Sequence, residues 1–320
     1  MHRQRTKLSQ RINRVFTHRA DGVAKTLERQ GIRATYELHD RLLSNRQSRE
    51  RFGDAQPRLD EVQQGVLDDV RREGFAVRSF DELVGDESLW QALVEQRDRF
   101  VASTEADLAS GGEHVRVRAG KEFVVRLQSY GVEIGPDDPW FRLVSSHRFL
   151  DLANAYLEMW AKLGYVDVWY SVPQPAAAER ISSQRWHRDY DDKHLLKVFL
   201  YLVDVNEEMG PFQFVAGSQP GGPYGDAWGW EVLGQGYPSE QELESRVPGA
   251  AVQTFTGKAG TLVFCNTAGF HRGGFSTTDP RVLATATYTS PASLEALTVR
   301  SYTYTGELGE LDDATRFALS

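Results

Sequence analysis

With 320 residues, 40% of them hydrophobic and 26% charged, the chain can build one large domain or two ordinary ones, and its make-up is that of a water-soluble globular protein. A net charge of −8 argues against general nucleic-acid binding, and no apolar run approaches the roughly 18 residues of a membrane span. The single cysteine, Cys265, excludes an internal disulfide and points to a reducing compartment; with no apolar stretch behind the charged N-terminus to serve as a signal peptide, the cytoplasm is the expected location.

The charge is unevenly spread. Residues 1–60 carry 14 Lys and Arg against 7 Asp and Glu, and the remainder carries 23 against 38. A basic helical extension, residues 1–56, therefore precedes an acidic body, residues 57–320. Within the extension, Leu8, Ile12, Val15, Phe16, Val23 and Leu27 recur near one helical face, and Leu38, Leu42 and Leu43 predict a second short helix. Such an arm suits docking onto its own body or onto a second subunit, giving a homo-oligomer, better than it suits a membrane surface.

Pro57 marks the boundary. Helices are expected over 59–72 and 86–100, with a strand over 75–80 between them. Residues 109–120 read as a polar loop in which His114 is solvated. A strand over 123–128, a helical region over 139–163 holding a structural His147, and a strand over 165–172 follow. Beyond Ser182 the strands come in quick succession, over 183–189, 195–205, 211–215, 251–256, 260–265, 281–289 and 298–304. Short strands separated by turn signals indicate a β-sandwich or barrel rather than βαβ units. The Gly- and Trp-rich stretch 217–238 carries no phosphate-loop pattern. It reads as an insertion near the site, equally suited to closing over substrate and to packing Trp228 and Trp230 on the barrel.

The chemistry gathers around His187 and Asp189. In extended backbone, residues two apart share a face, so an imidazole and a carboxylate converge on one spot. That is two-thirds of the 2-His-1-carboxylate arrangement that holds non-haem iron. The triplet alone is weak, because chance produces it often. His271, on a later turn beside glycines, is the candidate third ligand. Arg281, ten residues further on, opens an alternating strand and suits a bidentate grip on a carboxylate. Lys197, Gln184 and Tyr170 are further candidates for contact with a co-substrate carboxylate. Asp191, Asp192 and His194 are weaker candidates as ligands.

Together, His187-x-Asp189, the run from Asp204 through Asn206-Glu-Glu-Met-Gly-Pro-Phe212 to Gly217-Ser218, His271 and Arg281 resemble the phytanoyl-CoA dioxygenase family of Fe(II)/2-oxoglutarate oxygenases, over roughly residues 70–305. The resemblance implies a mainly β fold with flanking helices, built on a double-stranded β-helix (jelly roll, cupin-like) core. It implies His187, Asp189 and His271 on Fe(II), Arg281 on the far carboxylate of 2-oxoglutarate, dioxygen as the oxidant, and hydroxylation of a small-molecule substrate with release of succinate and carbon dioxide. A carboxylate at 189 favours hydroxylation or a related oxidation over halogenation. In one departure, many members carry a small hydroxyl residue two positions after the distal histidine, where this chain has Gly273; Ser276 and Thr277 are the nearby substitutes. Two alternatives stay open: a cupin-like metal enzyme that does not use 2-oxoglutarate, and a non-catalytic binding barrel. No residue selects the substrate.

Overall fold

The computed structural model describes residues 30–111, 121–127, 132–232, 234, 236–293 and 302–320. The helix expected from Leu8 to Leu27, His114 with most of its loop, and the start of the 298–304 strand lie outside them.

Strands β1 (Phe75–Ser79), β2 (Val124–Arg126), β4 (Lys162–Ser171), β5 (Leu195–Tyr201), β8 (Thr261–Cys265) and β10 (Arg281–Thr289) form a six-stranded antiparallel sheet in the order β1-β8-β5-β10-β4-β2. A second, three-stranded antiparallel sheet has the order β7-β6-β9, from β6 (Phe212–Val215), β7 (Val252–Phe255) and β9 (His271–Arg272). The short strands β3 (Val132–Ile134) and β11 (Tyr302–Tyr304) pair in parallel.

Strand parity sorts the side chains of the large sheet into two cores. Phe199, Tyr201, Val263, Cys265 and Leu283 pack against Phe212, Phe214 and Phe255, which binds the two sheets face to face. The alternate positions Val198, Leu200, Phe264, Val282, Ala284 and Tyr288 pack outward on a helical layer. That layer comprises α3 (Glu61–Glu73), α5 (Glu87–Ala109), α6 (Pro139–Ser145) and α7 (His147–Leu157). Strand β10 is thus covered on both sides, and all nine of its residues are buried. Its Val, Leu, Ala and Thr residues suit a strand with no solvent face.

The helix ends follow local chemistry. Asp60 caps α3 in a reciprocal box with Gln63, and Gly74 ends it in the left-handed region at φ 85°. A Cβ at Gly74 would also lie 2.3 Å from Gln219 Oε1, so the position needs glycine twice over. Asp138 caps α6, whose first residue is Pro139. The long helix α5 runs nine residues past the expected end at Phe100.

Two expectations change. Helical residues outnumber strand residues among those described, so the chain is a helix-covered pair of sheets rather than a mainly β protein. The amphipathic helices of the N-terminal half roof the outer face of the large sheet and supply that excess. The strand expected over 183–189 is a 3₁₀ turn, Ser182–Gln184, followed by extended backbone joined to the small sheet at a single bridge, His187 to His271. Before the body, residues 30–41 form helix α1 and Ser44–Asp54 form α2. Tyr36 of α1 is fully buried against Val232 and Ala292. The described part of the extension is therefore docked on the body.

Candidate metal centre

His187, Asp189 and His271 each bring one ligand atom to a common point, with all three atoms within 4.8 Å of one another. His187 Nε2 and His271 Nε2 lie 4.0 and 3.8 Å from Asp189 Oδ1. Backbone pairing sets this convergence. His187 and His271 exchange both N–H···O bonds, at 3.0 and 2.9 Å, and Asp189 N–H donates to Thr267 O at 2.7 Å.

The remaining atoms of each side chain are engaged by the protein. His187 Nδ1 faces Arg185 O at 2.9 Å and His271 Nδ1 faces Gly269 O at 3.0 Å. A carbonyl only accepts, so both Nδ1 atoms carry the proton and both Nε2 lone pairs face the centre. Burial pushes His187 down to about 4, and burial together with the neighbouring His187 holds His271 well below its usual value. Both rings are neutral at pH 7, the form that binds a metal. Asp189 Oδ2 accepts from Lys197 Nζ and Thr267 Oγ1, each at 2.5 Å, which leaves Oδ1 turned to the histidines. Burial alone would raise the Asp189 carboxyl, but the Lys197 ammonium foremost, with the two imidazoles, holds it well below the carboxylate range.

The Arg281 end of the cavity is built differently. Arg281 is 3% exposed, and its Nη1 donates to Gly210 O at 2.6 Å. Its Nε is buried without a partner, and among the described residues no carboxylate pairs with it. Burial lowers the guanidinium below its usual value, yet arginine stays charged throughout the working pH range. A buried cation with an unsatisfied donor and no counter-ion among the described residues fits an anionic ligand. Arg281, His187, Asp189 and His271 line one cavity of about 60 Å³. A second cavity of about 160 Å³, walled by Tyr165, Leu195, Thr287 and Thr289, shares Lys121, Trp169, Ser183, Asp189 and Lys197 with it.

The structure places the three further co-substrate candidates as follows. Lys197 does face the cavity, but its ammonium is engaged by Asp189. Gln184 uses both ends of its amide on backbone: Oε1 accepts from Ile181 N–H and Nε2 donates to Gly274 O. Tyr170 has the wrong parity: Trp169 and Tyr165 face the cavities, while Tyr170 packs with the helical layer. Of the weaker candidates, Asp191 lines the larger cavity. Asp192 bonds Tyr36 and Ser290, and His194 bonds Asp40, both away from the centre. Thr267 was missed, since nothing in sequence marks a threonine four residues before a histidine.

Two residues of the 217–238 stretch contact the segment that carries His187 and Asp189. Trp230 Nε1 donates to Asp189 O at 2.9 Å, and the Tyr237 ring lies 5.9 Å from that of His187.

Among curated proteins, none matches the chain. Among solved structures, EctD from S. alaskensis with 2-oxoglutarate and 5-hydroxyectoine is 18% identical with a TM-score of 0.50, over 73% of this chain and 77% of that one. EctD from S. alaskensis with bound Fe gives 15% and 0.50, over 78% and 82%. The epimerase SnoN, in complex with Fe3+, alpha ketoglutarate and nogalamycin RO, is 21% identical with a TM-score of 0.48, over 72% and 84%. At these identities the EctD likeness speaks for the fold alone. The family model described as Phytanoyl-CoA dioxygenase (PhyH) matches residues 87–282, more than half of the chain, including all three candidate metal ligands and Arg281. The chain belongs to the phytanoyl-CoA dioxygenase family.

Proposed function

We propose that this protein is an Fe(II)- and 2-oxoglutarate-dependent dioxygenase that hydroxylates an unactivated C–H bond of a small molecule and releases succinate and carbon dioxide. The observation that carries the reading is the pairing, in one cavity, of three convergent ligand atoms with a buried arginine that has no counter-ion among the described residues. His187 Nε2, His271 Nε2 and Asp189 Oδ1 would hold the iron, and Arg281 the far carboxylate of 2-oxoglutarate. Iron, 2-oxoglutarate and dioxygen supply the oxidising chemistry.

The chain's own residues bind, orient and exclude water. The carbonyls of Arg185 and Gly269 fix the histidine tautomers, while Lys197 and Thr267 hold Asp189 with one oxygen inward. Trp230 and Tyr237 bring the loop against the ligand segment, and the larger cavity is the candidate substrate chamber. We read the facing sheets as a double-stranded β-helix, with residues 57–320 as the oxygenase domain and 1–56 as its extension. A cupin-like enzyme that does not use 2-oxoglutarate has no use for a buried, uncompensated Arg281, and a purely binding barrel has none for the triad.

The test is anaerobic addition of 2-oxoglutarate to the Fe(II)-loaded protein, followed by oxygen and candidate substrates. A visible charge-transfer band on chelation, then succinate formed in step with a hydroxylated product, is expected. A protein that binds Fe(II) but never 2-oxoglutarate would sink the proposal.

A further inference from the structure

The backbone at Asp189 is held from two sides. Residues 188–194, between the His187 bridge and the start of β5 at Leu195, belong to no strand, so no ladder fixes the residue that carries the carboxylate. On the core side Asp189 N–H donates to Thr267 O at 2.7 Å. On the outer side Asp189 O accepts from Trp230 Nε1 at 2.9 Å. That second bond comes from residues 217–232, a stretch with neither helix nor strand of its own. An indole N–H can locate a backbone only where the indole is itself located.

Helix α1 locates it. The Tyr36 ring lies 5.7 Å from that of Trp230, at 45°, and packs with Val232 and Ala292. Arg33 forms an ion pair with Glu231, so three successive residues, Trp230 to Val232, rest on one helix. The ion pair is half-exposed and contributes little, which leaves the fully buried Tyr36 ring as the main contact. The same tyrosine grips the ligand segment directly. Its hydroxyl donates to Asp192 Oδ1 at 2.8 Å and accepts from Lys193 N–H at 3.2 Å.

We infer that helix α1 of the N-terminal extension supports the metal centre: Tyr36 is a positioning residue that seats Trp230, and the Trp230 indole fixes the backbone from which Asp189 reaches the ion. The inference rests on the reading of His187, Asp189 and His271 as metal ligands. Groups that orient a metal ligand change affinity for the ion when they are lost. Here that orientation reaches the carboxylate through the main chain, from an element outside the two sheets.

Metal affinity and geometry, read without turnover, test this. Wild type, Trp230→Phe, Tyr36→Leu and the double variant are titrated anaerobically with Fe(II), and their Co(II)-loaded forms are compared by visible absorption, which follows ligand geometry. Ser48→Ala is the control: Ser48 lies on α2 of the same extension and donates to Trp160 O at 2.6 Å, away from Trp230. Trp230→Phe keeps a ring and loses the N–H. It and Tyr36→Leu should each raise the Fe(II) Kd on the order of tenfold and shift the Co(II) bands. The double variant should lose no more than the larger single loss, because both changes act through one hydrogen bond. Ser48→Ala should melt lower with Kd and bands unchanged. Wild-type Kd and bands in Trp230→Phe or in Tyr36→Leu overturn the inference and leave the ligand assignment standing. Additive losses in the double variant overturn it too, as does an equal shift in Ser48→Ala, which would mean general loosening. Should Tyr36→Leu not fold, Val232→Ala thins the same contact from the other side and is judged by the same criterion. A wild-type protein that binds neither ion overturns the ligand assignment, and the inference falls with it.

Discussion

The two ends of the small cavity obey opposite rules. At the metal end, every polar atom not aimed at the centre is held by the protein: both Nδ1 atoms by carbonyls, and Asp189 Oδ2 by Lys197 and Thr267. At the other end, Arg281 Nε is buried and unpartnered, as is Ser171 Oγ across the strand pair from it. Ligands of a metal need fixed orientation before the ion arrives, because a small error in angle weakens every bond at once. A small-molecule carboxylate brings its own acceptors, so its donors can wait for it. One end is preorganised by the chain; the other, in the proposed function, is completed by the co-substrate.

The largest effects should come from breaking the metal end. His187→Ala, Asp189→Ala and His271→Ala are each expected to abolish Fe(II) binding and turnover, measured by metal titration and succinate release. Wild-type iron affinity in His271→Ala would show that the third ligand lies elsewhere. Asp189→Ala differs from the two histidine variants in also stranding the Lys197 ammonium. Breaking a buried pair costs about 3–5 kcal/mol, so this variant should melt well below the other two.

Arg281→Ala comes next. It should raise the 2-oxoglutarate Kd at least a hundredfold, on the order of the 3–5 kcal/mol of a broken buried pair, and barely change Fe(II) affinity. Arg281→Lys should recover only part, offering a point charge in place of a fork. An Arg281→Ala protein that still binds 2-oxoglutarate normally would erase the contrast between the two ends.

Lys197→Met sharpens the contrast from the opposite side. If Lys197 orients Asp189 rather than binding 2-oxoglutarate, the variant should lose roughly ten- to a hundredfold in Fe(II) affinity. Its 2-oxoglutarate affinity, measured with iron saturating, should change little. The reverse pattern would return Lys197 to the co-substrate.

The smallest effect concerns helix α1. Tyr36 OH donates to Asp192 Oδ1 at 2.8 Å, its ring lies 5.7 Å from Trp230, and Trp230 in turn donates to Asp189 O. These contacts tie part of the N-terminal extension to the segment that carries Asp189. Tyr36→Phe should lower stability by about 1 kcal/mol and Tm by a few degrees. The same interface carries a pH signature. Burial would raise the Asp40 carboxyl, but hydrogen bonds from His194, Lys193 and Asn45 outweigh it and hold the group well below the usual range. A depressed carboxyl contributes stability above its unfolded value of about 4, and that contribution is lost as pH falls further. Asp40→Asn should therefore melt lower than wild type at pH 7 and converge with it in acid. A gap that stays constant with pH would show that the ion pairs contribute nothing.

Much of this was legible in the chain because it is local. Strand β10 was read to the residue, since nine alternating or small apolar positions between turns admit few other readings. Helix α3 announced itself through an apolar stripe and a terminal glycine, while its capping aspartate emerged only in the structure. The same-face rule brought His187 and Asp189 together, although the segment turned out to be extended by one bridge rather than by a ladder. What parity and spacing could not supply was which groups are already engaged. Lys197, Gln184 and Tyr170 were all reasonable carboxylate partners by residue type. Only the fold shows the first paired to Asp189, the second bonded to backbone and the third facing the helices.

Residue type and spacing along one chain therefore determined most elements, the family resemblance and the three side chains that converge, with Arg281 beside them. Tertiary structure decided the rest, because hydrogen-bond satisfaction is settled between segments far apart in sequence. Thr267 reaches Asp189 across 78 positions, Tyr36 reaches Asp192 across 156, and Ser171 faces Arg281 across a strand pair with no covalent link to suggest it. A burial that leaves one donor pair unsatisfied is a property of packing, and no local pattern encodes it.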